Sequence, residues 1–231
     1  MSDDLESTRQ FLQRHHGGDG HRAAERTVTS HGRNHDEDFW AFWDKYTPRA
    51  DNRHVADLGC GPALFLKQLA AKHPGYTLTG IEIAPYMLAR IDDKPHNLDI
   101  RIADLNAPGE EVFPPASIDA CLANMLVHEL FQPVILFQRL HRWIKPGGLL
   151  VLTDNVRQPL ENFLHHRFPD TDFSSDALSP QDLNDSFRDY FEHNRYTADE
   201  LVRLLELCGF EPIEQQQLRE GRALRIAARN R

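Results

Sequence analysis

The chain is poor in cysteine, has no long apolar run and carries a deficit of positive charge. Its three cysteines, Cys60, Cys121 and Cys208, are far apart and odd in number. They suit neither a disulfide framework nor a metal knuckle, and they point to a reducing compartment. No apolar stretch approaches the ~18 residues that a membrane-spanning helix needs. The opening MSDDLESTRQ is polar and acidic, unlike a signal peptide. Together these features predict a cytoplasmic protein that neither spans nor enters a membrane. Lysine and arginine number 26 against 35 acids, a formal charge of −9. A chain of that sign repels polyphosphate, so no nucleic-acid partner is expected. A hydrophobic content of 40% in 231 residues is enough for one sizeable core.

Residues 1–35 are rich in glycine, histidine and charge and show poor apolar periodicity, which predicts a loop, mobile or lid segment. The main domain is expected over 36–231. In DEDFWAFWDKY, Phe39, Phe42, Trp43 and Tyr46 recur at helical spacing. Such a stripe reads as core packing, with a lid bringing Tyr46 to a substrate as the second reading. From His54 onward, apolar runs alternate with amphipathic segments. HVADL, TLTGIEI, DIRIADL, SIDACLANML and LLVLTDNV read as strands, with helices between several of them. That alternation predicts an α/β, Rossmann-like sheet with helices on both faces. Residues 157–195 break the rhythm and are expected to form a helical cap insertion. TADELVRLLELCGF then predicts a helix opened by a Thr197–Glu200 capping box. EPIEQQQL and RALRIAAR, joined by REG, predict a terminal antiparallel hairpin. The expected total is seven strands, mostly parallel.

In such sheets ligands bind beyond the carboxyl ends of the strands. The residues there are Asp57 to Ala63, Glu82, Asp104 and Asn124 to Glu129. Gly59 and Gly61 sit between a strand and a helix, where missing Cβ atoms let a ligand approach the backbone. Leu64 occupies the place where a dinucleotide site needs a third glycine, which argues against a nicotinamide enzyme. Asp57, two residues before Gly59, would repel a pyrophosphate and attract a cation. Glu82, ending the second strand, can accept from ribose hydroxyls, and Asp104, ending the third, from an adenine amino group. A positively charged adenosine is the ligand this set describes, and S-adenosylmethionine is such a molecule.

VADLGCGPALFLKQLA, GIEIAPYML, IRIADL and WIKPGGLLVLTD, in that order and spacing, resemble successive motifs of the class I S-adenosylmethionine-dependent methyltransferases, in particular the small-molecule, ubiquinone-biosynthesis-like branch. The resemblance is strong over about 40–156. It implies S-adenosylmethionine as cofactor and S-adenosylhomocysteine as product. It also implies that Asp57, Gly59 and Gly61 hold the methionyl part, with Cys60 a packed or backbone-facing residue of the same cofactor-binding loop, and that Glu82 binds ribose with Ile83 and Met87 packing nearby. Asp104 and Leu105 would meet the adenine, and Asn124 would lie beside the methionyl amino group. Ala63 departs from the family pattern, where many members have glycine. Alanine there is expected to keep a negative φ and be tolerated.

Methyl transfer from a sulfonium is an in-line displacement, so alignment of the acceptor is the main task. His128 and Glu129, after the fourth strand, are the catalytic candidates, with His128 as a general base. The other reading of His128 is a helix cap or a backbone hydrogen-bonding residue. Asp154 and Asn155, after the fifth strand, are candidate substrate contacts or plain turn residues. His165-His166 and five histidines before residue 36 raise the question of a metal. Adjacent histidines point apart and no Cys or Asp spacing supports them, so no metal is expected. The reading is a methyltransferase acting on a small, partly polar metabolite, as monomer or homodimer. A protein-side-chain methyltransferase and a non-catalytic S-adenosylmethionine-binding module are the alternatives.

Overall fold

The computed structural model describes residues 2–47, 50–106, 112–174, 178–193 and 195–231, with side chains from residue 5 onward. Three helices lead: α1 (Ser2–His15), α2 (Gly20–Asn34) and α3 (Glu37–Tyr46). Alternation follows with β1 (His54–Leu58), α4 (Leu64–Lys72), β2 (Thr77–Ile81), α5 (Pro85–Leu88), β3 (Leu98–Arg101) and β4 (Ile118–Asn124). After a 3-10 turn at Val127–Glu129 come α6 (Pro133–Trp143) and β5 (Ile144–Asn155). The chain ends with α7 (Leu160–Arg167), α8 (Pro180–His193), α9 (Ala198–Leu207), β6 (Phe210–Leu218) and β7 (Ala223–Asn230).

Among the described residues the strands form one seven-stranded sheet in the order β3-β2-β1-β4-β5-β7-β6. The first five are parallel, and β7 runs antiparallel to both β5 and β6. This is the Rossmann-like arrangement with a terminal hairpin that the patterning predicts. Side chains alternate between two cores because the strand period is two. Cys121, Ala123, Leu150 and Leu152 face one core with Phe137 and Leu140 of α6 and Leu201 of α9. Ala120, Leu122, Leu149 and Val151 face the other with Phe39 and Trp43 of α3 and Phe65 and Leu69 of α4. Both faces of the sheet are therefore covered, which explains the nearly unbroken apolar runs in β4 and β5.

The helix caps follow their local chemistry. The Thr197–Glu200 capping box is present at α9. Prolines open α5 and α6, where the missing N–H costs nothing. The 157–195 segment carries α7 and α8; residues 175–177 and 194 of it lie outside the described residues. No helix among the described residues is long and apolar enough to cross a membrane.

Two expectations are corrected. The first concerns the loop expected over residues 1–35: residues 2–15 and 20–34 of it are helical, as α1 and α2. Asp19 caps α2 by accepting from the His21 and Arg22 amides. The helix packs through small residues, Ala23 and Ala24, against Ala84 and Met87. Gly20 lies so close to Tyr86 that an added Cβ would stand 2.4 Å from its ring. A face built on alanine and glycine gives little hydrophobic signal, and so its periodicity was hidden. The second concerns Ala63, which has φ +57, in the left-handed region, rather than a negative φ.

Candidate functional site

A cavity of about 750 Å³ opens at the carboxyl ends of the strands. It lies where β1 and β4 are neighbours and the chain's direction of winding reverses. The β1–α4 loop forms its floor. Gly59 and Gly61 have φ +65 and +52, so glycine is favoured there for conformation as well as for access. A Cβ at Gly61 would project toward Thr27 of α2, 3.6 Å away, and into space a ligand could use. Leu64, beginning α4, and Pro62 line the same wall.

Three acids face the cavity from three strand ends. Asp57 is 4% exposed and makes no side-chain hydrogen bond or ion pair among the described residues. Burial, and then the neighbouring Glu82, push its carboxyl well above the usual carboxylate range. Glu82 is organised differently. Its Oε2 accepts from the Gly61 amide at 2.9 Å, and its Oε1 accepts from the Ile83 and Ala84 amides at 2.8 and 2.7 Å. Burial raises its pKa in spite of those bonds. A carboxylate has about four acceptor positions, so roughly one remains for a ligand hydroxyl. Asp104 accepts from Thr8 Oγ1 of α1 at 2.7 Å and from the Asn106 amide at 2.9 Å.

Across the cavity, the residues after β4 form a second polar group. Met125, with φ +55, turns the chain out of the strand. The buried His128 has its Nδ1 2.6 Å from Asp154 Oδ1, and Asp154 Oδ2 accepts from the Val127 amide at 2.6 Å. Burial alone would lower the His128 pKa, but Asp154 more than offsets it and the net direction is upward. Glu129 Oε1 lies 2.6 Å from Nε2 of His16, the residue that follows α1, and His16 Nδ1 lies 2.6 Å from the Tyr86 hydroxyl. Burial opposes the Glu129 charge, yet His16 and the other nearby imidazoles hold its pKa below the ordinary glutamate value. Arg9 of α1 donates to the Ile83 carbonyl at 3.0 Å. Helix α1 is thus fastened across the strand ends by Thr8, Arg9 and His16.

Asp57, Gly59, Cys60, Gly61, Glu82 and Ile83 all line the cavity, as do Met87, Asp104, Leu105 and Asn124. His128, Glu129 and Asn155 line it as well. Two expected substrate contacts are elsewhere. Tyr46 is not part of the cavity wall; its hydroxyl donates to Glu214 of β6 while its ring packs on the α3–α4 core. Asp154 is 1% exposed beneath His128 and orients it. The sequence reading missed Thr8 and Leu12 on α1, His16 in the turn after it, Arg26 and Arg33 on α2, His193 on α8, and Arg219 in the β6–β7 turn, all of which line the cavity. The available signal was the Leu5, Thr8, Leu12, His15 spacing, which marks one helical face with little apolar content.

The fold and the glycine–acid loop define a class of protein. Residues 56–152 match the family described as a methyltransferase domain. Among curated proteins, the chain is similar to the trans-aconitate 2-methyltransferase of Delftia acidovorans, 34% identical over 109 residues. That match covers 46% of this chain and 39% of the relative, so the chain spans well under two thirds of the relative's length. Among solved structures, it resembles a chain from the complex of the Haloferax volcanii Trm112 methyltransferase activator with a methyltransferase. There the TM-score is 0.69 at 15% identity, covering 92% of this chain and 97% of the other. It also resembles Haemonchus contortus phosphoethanolamine N-methyltransferase 2 in complex with S-adenosyl-L-methionine, with TM-score 0.65, 18% identity, and coverage of 91% and 46%. At those identities the structures show a shared fold.

Proposed function

We propose that the chain binds S-adenosylmethionine in this cavity and transfers its methyl group to a small acceptor carrying at least two carboxylates. The observation that carries the first half is Asp57. A buried carboxylate with no hydrogen-bond or ion-pair partner among the described residues, beside a second acid and bare glycine backbone, is costly by itself. A cationic ligand offsets that cost, and the methionyl end of S-adenosylmethionine carries both an ammonium and a sulfonium. Gly59 and Gly61 leave room for it. Glu82, fixed by three amides, holds its remaining acceptor position toward a ribose hydroxyl. Ile83, Met87 and Leu105 offer apolar surface for the base.

The acceptor class follows from the opposite rim. Arg26, Arg33 and Arg219 line the cavity, and Arg219 donates to Asn34 Oδ1 at 2.9 Å. Burial, then the nearby Arg33 and Arg222 cations, lower the Arg219 pKa, as expected where positive charges crowd. A cationic rim suits an anion. The similarity to a protein named for trans-aconitate points the same way.

The cofactor supplies an activated methyl group whose departure leaves a neutral thioether. The acceptor oxygen forms its bond to carbon as the carbon–sulfur bond breaks, and the electron pair goes to sulfur. An ionised carboxylate has no proton to lose, so the His128–Asp154 pair is not required as a base for this class. Methylation cancels the charge on the reacting carboxylate. Arginines gripping that same group would stabilise the ground state more than the transition state and slow the reaction. The rim is therefore assigned to a second carboxylate, leaving the first free to face the methyl group. Alignment of this kind supplies up to about 7–11 kcal/mol of barrier reduction.

The experiment is transfer of a labelled methyl group to a panel of small mono-, di- and tricarboxylates, alcohols and amines. Product from the polycarboxylates alone is the expected result. The double variant Arg33→Ala/Arg219→Ala should raise their KM by about tenfold or more, as expected for lost charged hydrogen bonds. Turnover of amines or alcohols in preference would remove the acceptor assignment.

A further inference from the structure

We propose that His15, His128 and His193 form a binding site for a divalent first-row transition metal ion, of which zinc is the type. The three come from α1, the turn after β4, and α8, and each offers a ring nitrogen within 4.8 Å of the other two. Their ring centroids are 4.3 Å apart for His15–His193, 5.5 Å for His128–His193 and 6.2 Å for His15–His128. Tetrahedral coordination at Zn–N distances near 2.0–2.1 Å puts ligand nitrogens about 3.4 Å apart. Side-chain shifts of roughly 1 Å would bring these three to that spacing.

Several features go beyond proximity. The His15 side chain is 2% exposed, and its Nε2 is buried without a hydrogen-bond partner. Leaving such an atom unsatisfied is costly, and a metal ion is a partner that satisfies it. The His128 Nδ1 is taken by Asp154 at 2.6 Å, which leaves Nε2, 3.8 Å from Glu129 Oε1, as the nitrogen to ligate. A carboxylate behind a ligating imidazole fixes its tautomer and raises its basicity. Carboxylates flank the other two: Glu192 Oε2 is 3.7 Å from His15 Nδ1, and Asp189 Oδ1 is 3.4 Å from His193 Nε2.

Three imidazoles with no thiolate favour zinc, copper, nickel or iron over calcium or magnesium. Three protein ligands leave coordination positions open, and His128 and His193 line the cavity. The ion would tie α1 and α8, far apart in sequence, to the β4 end of the cavity. This site does not depend on the methyl-transfer reading, since neither Asp57 nor Glu82 takes part.

The test uses the full chain, dialysed against chelator and titrated with Zn²⁺ by calorimetry and with Co²⁺ by visible absorption at pH 7.5. The expected result is one equivalent bound at micromolar affinity or tighter, with the spectrum of a Co²⁺–imidazole centre. His193→Ala and His15→Gln should each weaken binding by about a hundredfold. His165→Ala/His166→Ala should leave it unchanged. Near-UV circular dichroism and S-adenosylhomocysteine binding report that each variant is folded. The proposal is overturned by no saturable binding to the folded chain. It is equally overturned if affinity is unmoved in His193→Ala or lost in the His165/His166 variant.

Discussion

Replacing Asp57 with asparagine should strengthen the unliganded protein and weaken its grip on the cofactor. Asp57 is 4% exposed. Its pKa is raised, by burial first and by Glu82 second, so the folded state holds its proton more tightly than the unfolded chain does. Below the ordinary carboxylate range both states are protonated and the residue is neutral in its effect. As the pH rises toward the folded-state pKa the unfolded chain ionises first, and stability falls; above that value the full penalty is present. A buried, unsatisfied polar group costs about 1–3 kcal/mol, and more when charged. Asparagine keeps the shape and removes the charge but leaves an unpartnered amide, so the gain should be about 1–2 kcal/mol. In a chain of this size that is a rise in Tm of roughly 2–8 °C. The assay is thermal unfolding of both proteins at pH 8 and again below the ordinary carboxylate range, where Asp57 is protonated in the folded and the unfolded state alike and the charge-derived difference should vanish. In parallel, S-adenosylmethionine affinity at pH 8 should fall about ten- to a hundredfold, the worth of one charge-assisted hydrogen bond. A variant that is less stable at pH 8, or that binds with unchanged affinity, would refute the idea of Asp57 as an uncompensated charge awaiting a cation.

Glu82→Gln should behave in the opposite sense toward stability. Its carboxylate satisfies the amides of Gly61, Ile83 and Ala84, and an amide nitrogen turned toward any of them leaves a buried donor unpaired. A loss of about 1–3 kcal/mol is expected in denaturant unfolding, together with cofactor binding weaker by roughly ten- to a hundredfold. Ala63→Gly should raise stability by about 0.5–1 kcal/mol in the same assay, because Ala63 has φ +57 and pays a left-handed strain that glycine avoids. A destabilised Ala63→Gly protein would mean that packing of the alanine methyl, 0% exposed, outweighs the strain.

The sheet and the floor of the cavity were legible in the sequence for definite reasons. β4 and β5 are buried on both faces and read as apolar runs. Asp57, Glu82 and Asp104 stand at strand ends, where short-range spacing predicts them. Gly59 and Gly61 mark their own turn. What was hidden depended on long-range meetings or on weak local signal. Helices α1 and α2 pack through alanine, glycine and threonine, so hydrophobic periodicity could not reveal them. Arg33 and Arg219 lie far apart in the chain and share a rim only after the β6–β7 turn folds back. Asp154 looked like a turn residue at a strand end, while its partner His128 lies 26 positions earlier. Tyr46 has an aromatic stripe that could serve a core or a lid, and its bond to Glu214 of β6 is not local information.

Calorimetric titration of the folded chain with S-adenosylmethionine, and with S-adenosylhomocysteine, tests the central claim most directly. One molecule of either should bind, in the micromolar range, with affinity that rises as the pH is raised and Asp57 gives up its proton. A folded sample that takes up neither compound would contradict the assignment of the Asp57–Gly59–Gly61–Glu82 cavity as the cofactor site.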